Sequence, residues 1–137
     1  MPAISSNQMV TAILDAFEES GAPGILVSSP RQHPRQFIVQ TEAGGVSVWV
    51  YAWTLTHGGR PSLPNEYRIQ MTTVASPLPL NPSGYTLLLG YEPNSKTFAG
   101  FDLGRHQTFT KGSPSVQIDI TILHKALDDG LAFDRKN

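Results

Sequence analysis

The sequence predicts an α+β domain: a mostly antiparallel, strongly twisted sheet or partly open barrel, with an N-terminal helix and a C-terminal helix. Three observations predict this class. The chain has 137 residues, which suits one hydrophobic core. Apolar residues recur at helical spacing near both ends, and they alternate with polar residues in between. The strand segments do not alternate regularly with helices, as they would in a doubly wound parallel sheet.

The N-terminal helix begins at a capping box, in which Ser5 caps the helix and Gln8 returns the hydrogen bond three residues later. Apolar side chains between Met9 and Phe17 then fall on one face of the helix. Gly21 and the proline that follows it end the helix.

Short apolar or alternating segments predict the strands. The clearest are two hairpins, whose turns contain glycine in one case and proline and asparagine in the other. Asp119 is placed to cap a closing helix that ends near Asp129. The predicted strands cover residues 24–29, 36–41, 46–56, 66–74, 85–91, 97–103 and 115–118.

The longest predicted strand, 46–56, is apolar on both faces. Valines and an alanine occupy its even positions from 46 to 52, while Trp49, Tyr51 and Trp53 occupy the odd ones. At least one face must therefore cover something besides a single core. A protein-interaction module that uses these faces is one hypothesis for the function.

Composition excludes several classes of protein. The net charge of −1 argues against a generic polyanion binder, and the absence of cysteine excludes disulfides, thiolate metal sites and cysteine nucleophiles. No apolar run approaches the ~20 residues of a membrane span, and the N-terminus lacks the features of a signal peptide. We therefore expect a cytoplasmic protein without a membrane partner. Residues 1–137 form one predicted domain, and the ending at 131–137 looks like the start of a further strand, so we interpret the chain as the N-terminal fragment of a longer protein.

Motifs for catalysis are absent from the sequence, with one weak exception. There is no nucleophile elbow and no phosphate-binding loop, and the histidines at 33, 57, 106 and 124 have no metal-ligand spacing. Asp102 followed by Asp134 and Lys136 fits the carboxylate pattern of a metal-dependent nuclease, although the signal is weak and a solvated strand end is the explanation that we favour. We expect no catalytic activity and no cofactor in this fragment.

Positive charge is concentrated in three loops rich in glycine or proline. Guanidinium groups suit phosphate oxygens and guanine edges because their planar fork donates two parallel hydrogen bonds. If the loops converge at one edge of the sheet, they form a cationic DNA-binding surface; the alternative is that each is a solvated turn. The loop residues are Arg31, His33 and Arg35, then His57 and Arg60, then Arg105, His106 and Lys111.

Aromatic residues suggest a second feature of such a surface. Trp49, Tyr51, Trp53 and Tyr67 either pack in the core or line a pocket that stacks an extruded base. Glu66 borders the same region, where it can contact a base or form an ion pair with Arg68.

Several stretches of the sequence carry a family resemblance, namely 56–61, 65–70, 87–91, 101–106, 115–118 and 126–133. Together they resemble the amino-terminal region of bacterial proteins described as restriction endonucleases, in which a recognition domain precedes a separate nuclease domain. The resemblance implies recognition of double-stranded DNA, including a modified base, in phage defence. It also implies a downstream nuclease domain, to which any Mg²⁺ would belong. The positions it implicates are His57, Arg60, Glu66, Arg68, Arg105 and His106.

The leading hypothesis is therefore a DNA-binding specificity domain of a restriction endonuclease-like defence protein. A metal-dependent nuclease domain and a protein-interaction module remain the alternatives.

Overall fold

The computed structural model of the chain describes residues 3–110 and 114–129. Within these residues the fold is mixed α+β, with a helix near each end and mostly antiparallel strand pairing, which confirms the predicted class. The strands form two separate sheets, and neither closes into a barrel. The elements are α1 (Ser6–Glu19), β1 (Gly24–Leu26), β2 (Arg35–Thr41), β3 (Gly44–Thr54), β4 (Thr56–His57), β5 (Glu66–Gln70), β6 (Gly84–Glu92), β7 (Thr97–Phe101), α2 (Leu103–His106), β8 (Ser115–Asp119) and α3 (Ile120–Asp129).

The capping residues predicted from the sequence mark where α1 and α3 begin. The capping box of α1 is formed as predicted, because the backbone N–H of Gln8 donates to Ser5 Oγ at 3.1 Å and Ser5 N–H donates to Gln8 Oε1 at 2.9 Å. At the start of α3, Asp119 Oδ1 accepts a hydrogen bond from the N–H of Thr121 at 2.9 Å, which is the expected cap.

The larger sheet has the strand order β1-β2-β3-β6-β7. Both predicted hairpins are present in it, as the antiparallel pairs β2–β3 and β6–β7. The central pair, β3–β6, is parallel, with Tyr51 opposite Leu88. A parallel pair needs a crossover connection. Here the crossover contains β4 and β5, which belong to the other sheet.

The smaller sheet, with the order β4-β5-β8, begins where β3 leaves the larger one. Leu55 donates its N–H to Tyr91 O at 2.8 Å, and β4 then pairs with β5 instead. The two sheets meet at Gly90, where an added Cβ would lie 2.8 Å from Ile69 Cγ2 and 2.8 Å from Leu55 Cγ. Only glycine allows this close crossing without displacing a side chain.

The two faces of β3 lie in two different hydrophobic cores. Val48, Val50 and Ala52 pack against α1 in the first core, while Tyr51 and Trp53 face the second. The second core is completed by the smaller sheet and by Ile120 and Leu123 of α3. Both apolar faces of the strand are thus largely covered within the chain, so most of the surface expected for a protein-interaction module is not exposed.

Candidate nucleic-acid interface

The first basic loop, residues 30–35, turns its arginine at position 35 into the protein. Arg35 is 4% exposed, and it donates from Nε to Pro30 O at 2.7 Å and from Nη1 to Ala52 O at 3.2 Å. Burial lowers the pKa of this guanidinium. Arg35 therefore anchors the loop to the end of β3, and its charge is not presented to a ligand at the surface.

His33 lies in the same loop and is also turned inward. Its ring stacks on Trp53, with centroids 4.8 Å apart and planes 14° from parallel. Burial, together with the positive charge of Arg35, lowers the pKa of His33 to about 4, so the ring is neutral near pH 7. Arg31, in contrast, is exposed. Of the three predicted contact residues in this loop, Arg31 alone reaches solvent fully.

Two of the aromatic side chains considered for a base pocket are core residues. Tyr51 is fully buried, its hydroxyl donates to Pro79 O at 2.7 Å, and burial raises its pKa to about 12. Trp53 is 9% exposed and stacks between Tyr51 and His33. Trp49 is half-buried. Core packing is therefore the interpretation that the structure supports for Tyr51 and Trp53, because both rings are buried among the residues of the second core.

The second basic loop, residues 57–65, is held in a defined conformation. Gly59 N–H donates to His57 Nδ1 at 2.9 Å, and His57 Nε2 lies 3.0 Å from Pro64 O. A neutral ring that carries its proton on Nε2 satisfies both contacts. The edge-to-face contact between His57 and Tyr67, at 5.5 Å, holds the ring against the sheet. His57 and Tyr67 thus stabilise the conformation of the loop.

Arg60 and Glu66 form a forked ion pair across this loop. Arg60 Nε lies 3.0 Å from Glu66 Oε1, and Nη2 lies 2.7 Å from both carboxylate oxygens. The arginine side chain is 60% exposed, whereas the glutamate is 16% exposed. The proposed pairing of Glu66 with Arg68 does not occur. Arg68 donates instead from Nη1 to Gln70 Oε1 at 3.0 Å.

One side of the smaller sheet is a continuous polar surface, and we term this surface the outer face. Ile69 and Val116 point into the second core, so the alternate residues point away from it. Register places Arg68 between Thr56 and Gln117, Glu66 opposite Asp119, and Gln70 opposite Ser115. The outer face consists of Thr56, Glu66, Arg68, Gln70, Ser115, Gln117 and Asp119, all capable of hydrogen bonding.

Five members of the outer face were not among the predicted site residues, namely Thr56, Gln70, Ser115, Gln117 and Asp119. The alternation of polar and apolar residues in 66–70 and 115–119 carries the information that they share a face with Arg68. What the sequence does not reveal is that these two strands, about 45 residues apart, are direct neighbours.

The third basic loop leaves the larger sheet in a different direction. β6 runs parallel to β3, and β7 runs antiparallel to β6. The chain after Phe101 therefore continues in the direction opposite to that in which β3 ends. Arg105 is exposed on α2. His106 is half-buried beside Phe101, and its pKa is lowered mainly by burial and further by Arg105, although Asp102 opposes the shift. Lys111 lies outside the described residues. The first and second loops thus lie near the C-terminal end of β3, and the third loop does not.

Of the two carboxylates in the nuclease hypothesis, Asp102 lies within the described residues. Asp102 caps α2, where its Oδ1 accepts from Gly104 N–H at 3.0 Å. Asp134 and Lys136 lie outside the described residues. Among the residues that the structure does describe, no group of three or more histidines and carboxylates is gathered as a metal site would require. An open cavity of about 260 Å³ adjoins the outer face, lined by residues 62–65 together with Glu66 and Asp119.

The fold and site together define an α+β domain with one extended polar β-surface. By sequence, residues 46–137 match the methylase-associated X1 family, and the chain belongs to that family. The match begins within β3 and includes every element of the smaller sheet. The family's association with methylases indicates a restriction–modification context. No curated protein and no solved structure matches the chain. No helix among the described residues is long and apolar enough to cross a membrane.

Proposed function

We propose that this chain is the DNA-recognition module of a restriction–modification protein and that it contacts double-stranded DNA through the outer face of the β4-β5-β8 sheet. The observation that carries the proposal is the composition of that face. Arginine, glutamine, serine and threonine are the side chains that donate to base edges and phosphates in protein–DNA complexes. The methylase association of the family supports the same class of partner.

The positive charge of the proposed interface comes from individual arginines and not from the net charge of the chain. Arg68 occupies the centre of the outer face, and Arg60 projects beside it, while the net charge of the chain is −1. A protein of this kind makes few phosphate contacts, so its affinity for DNA should fall only moderately as the salt concentration rises. The logarithm of the binding constant should fall with the logarithm of the salt concentration with a slope of about 0.9 for each phosphate neutralised. Recognition of DNA then depends more on contacts made by the side chains of the outer face than on electrostatic attraction between the whole protein and the DNA. Cleavage is assigned to a separate nuclease domain with its own Mg²⁺.

Fluorescence anisotropy with plain and methylated duplexes tests the proposal. We expect salt-sensitive binding that Arg68→Gln weakens by about 5- to 30-fold, because loss of one charge-assisted contact removes about 1–2 kcal/mol. Lys96→Gln is the matched control, since it removes the same charge from the exposed β6–β7 turn of the other sheet. Absence of duplex binding at low salt, or equal losses for both variants, would contradict the proposal.

A second candidate function, contact with a protein, is favoured by exposed apolar side chains on the larger sheet. Ile25 is 63% exposed and lies directly opposite Ile38, which is 37% exposed; Val27, two residues along, is 51% exposed. Sedimentation velocity separates this function from the first. Self-association that rises with protein concentration and disappears in Ile25→Ser would support it, whereas a monomer at all concentrations would count against a homotypic contact.

A further inference from the structure

We infer that the ribbon formed by β5 and β8 enters the DNA major groove, and that Arg68, Gln70 and Gln117 determine which bases are bound. The inference rests on the proposed function and adds the mode of contact and the residues that set specificity. It arises from the register of the ribbon, which brings these three side chains together on one surface.

The shape of the smaller sheet suits a groove. β5 and β8 pair over five residues, from Glu66 opposite Asp119 to Gln70 opposite Ser115, whereas β4 adds only two residues at one side. The outer face is therefore mainly a two-stranded antiparallel ribbon, which the major groove, about 12 Å wide, admits. β5 begins at the 57–65 loop and β8 ends at α3, so both of these segments anchor the Glu66–Asp119 end of the ribbon. At the opposite end, the N–H of Met71 donates to Pro114 O at 2.8 Å.

Spacing along the ribbon matches spacing along DNA. Side chains on one face of a strand recur every ~7 Å, at twice the ~3.4 Å rise per residue. Base pairs are stacked about 3.4 Å apart along each strand. Arg68 and Gln70, which occupy successive outward positions of β5, would thus meet bases about two pairs apart.

The chemistry of the three side chains is that of purine recognition. Arginine binds the two acceptors of guanine through its fork, and glutamine binds the acceptor and the donor of adenine. Arg68 Nη1 donates to Gln70 Oε1 at 3.0 Å, which holds both head groups in a defined orientation. Gln117 lies directly opposite Arg68 on β8. We therefore expect a site with guanine at one position and adenine about two base pairs away.

The two carboxylates of the outer face lie at one end of the ribbon, and both are engaged by groups of the protein itself. Glu66 lies in the fork of Arg60, and Asp119 accepts hydrogen bonds from the backbone N–H and the hydroxyl of Thr121. The opposite end of the ribbon, at Gln70 and Ser115, is exposed and uncharged. DNA would be contacted most closely there and at Arg68.

Selection of bound duplexes from a randomised pool tests the inference, with the full chain as the protein. The wild type should enrich a short motif that contains guanine and adenine. Gln70→Ala should lose at least about 5-fold of the preference at the adenine position, since a good bidentate contact discriminates by at least this factor. Gln40→Ala, an exposed glutamine on β2 of the larger sheet, is the matched control and should leave the motif unchanged.

A second variant gives a readout that a merely structural role would not produce. Gln70→Glu should move the preference from adenine towards cytosine, because a carboxylate accepts from the cytosine amino group and cannot donate. If the wild type binds duplex DNA but Gln70 and Gln117 variants enrich its motif unchanged, the inference is overturned and the proposed function stands. If the wild type binds no duplex, the proposed function itself fails.

Discussion

The loops at 30–35 and 57–65 have similar compositions, yet Arg35 of the first and Arg60 of the second lie in opposite environments. Both combine histidine and arginine with proline, and both lie near the end of β3. Arg35 of the first is 4% exposed, whereas the Arg60 side chain of the second is 60% exposed. The composition of a loop therefore indicates a cationic segment without indicating whether its charge reaches solvent.

The partners available to each arginine explain the difference. Arg35 is next to the strand end, where its Nε and Nη1 each donate to a backbone carbonyl, while the ring of His33 covers Trp53 beside it. Arg60 has a carboxylate partner, Glu66, whose position at the rim of the smaller sheet keeps the pair near the surface. A buried arginine without a carboxylate is unusual, because its charge is desolvated and only dipoles compensate it.

The largest expected effect concerns the buried member of this comparison. Arg35→Ala should lower the free energy of unfolding by about 2–4 kcal/mol, because it leaves two carbonyls without donors and opens a cavity at the end of β3. Urea denaturation measures the change. Arg31→Ala, four residues earlier and exposed, is the control and should change stability by less than about 0.5 kcal/mol. Equal effects would show that Arg35 is not held as described.

The next effect concerns His33 and pH. Its folded pKa of about 4 lies below the ordinary value of 6.5, so the unfolded state binds the proton more readily. The stability that His33 contributes is complete above about pH 6.5 and is lost as pH falls towards 4, by up to about 2–3 kcal/mol.

Denaturation midpoints between pH 7 and pH 4 measure this loss. His33→Phe keeps a ring on Trp53 and removes the titrating group, so its stability should fall less steeply over the same interval. Parallel curves for the two proteins would show that His33 is accessible to protons in the folded state.

The smallest effect concerns the exposed pair. A double-mutant cycle with Arg60→Ala and Glu66→Ala should give a coupling of about 0.5–1 kcal/mol, since forked geometry favours the pair but solvent screens it. The coupling should diminish in 1 M salt, where the Debye length is about 3 Å. A coupling above about 2 kcal/mol would place this pair in an environment as desolvated as that of Arg35.

Local signals in the sequence were sufficient for most elements of the fold. The capping box of α1, the two hairpins and the cap of α3 each depend on residues a few positions apart, and all are present. The parallel β3–β6 pair and the division into two sheets depend on residues far apart in the chain. Nothing at Leu55 or Gly90 alone indicates that one strand ends there and another crosses.

The candidate site was predictable to a similar extent. His57, Arg60, Glu66 and Arg68 do lie together, because they flank one short stretch of chain that ends in β5. The contribution of Gln117 depends on the pairing of β5 with β8, and the inward turn of Arg35 depends on carbonyls that only the folded chain supplies. The charged groups are thus recognisable from the sequence pattern, whereas their orientation is set by contacts that form only in the folded chain.

The position at which the family match begins has a practical consequence for work on the isolated domain. Residue 46 lies inside β3, so a fragment trimmed to 46–137 would keep the β4-β5-β8 sheet but lose α1, β1 and β2. Val48, Val50 and Tyr91 would then be uncovered on one side, and such a fragment should aggregate on expression. Related sequences will need an equivalent cover for this surface, whether from their own N-terminal segment or from a neighbouring chain.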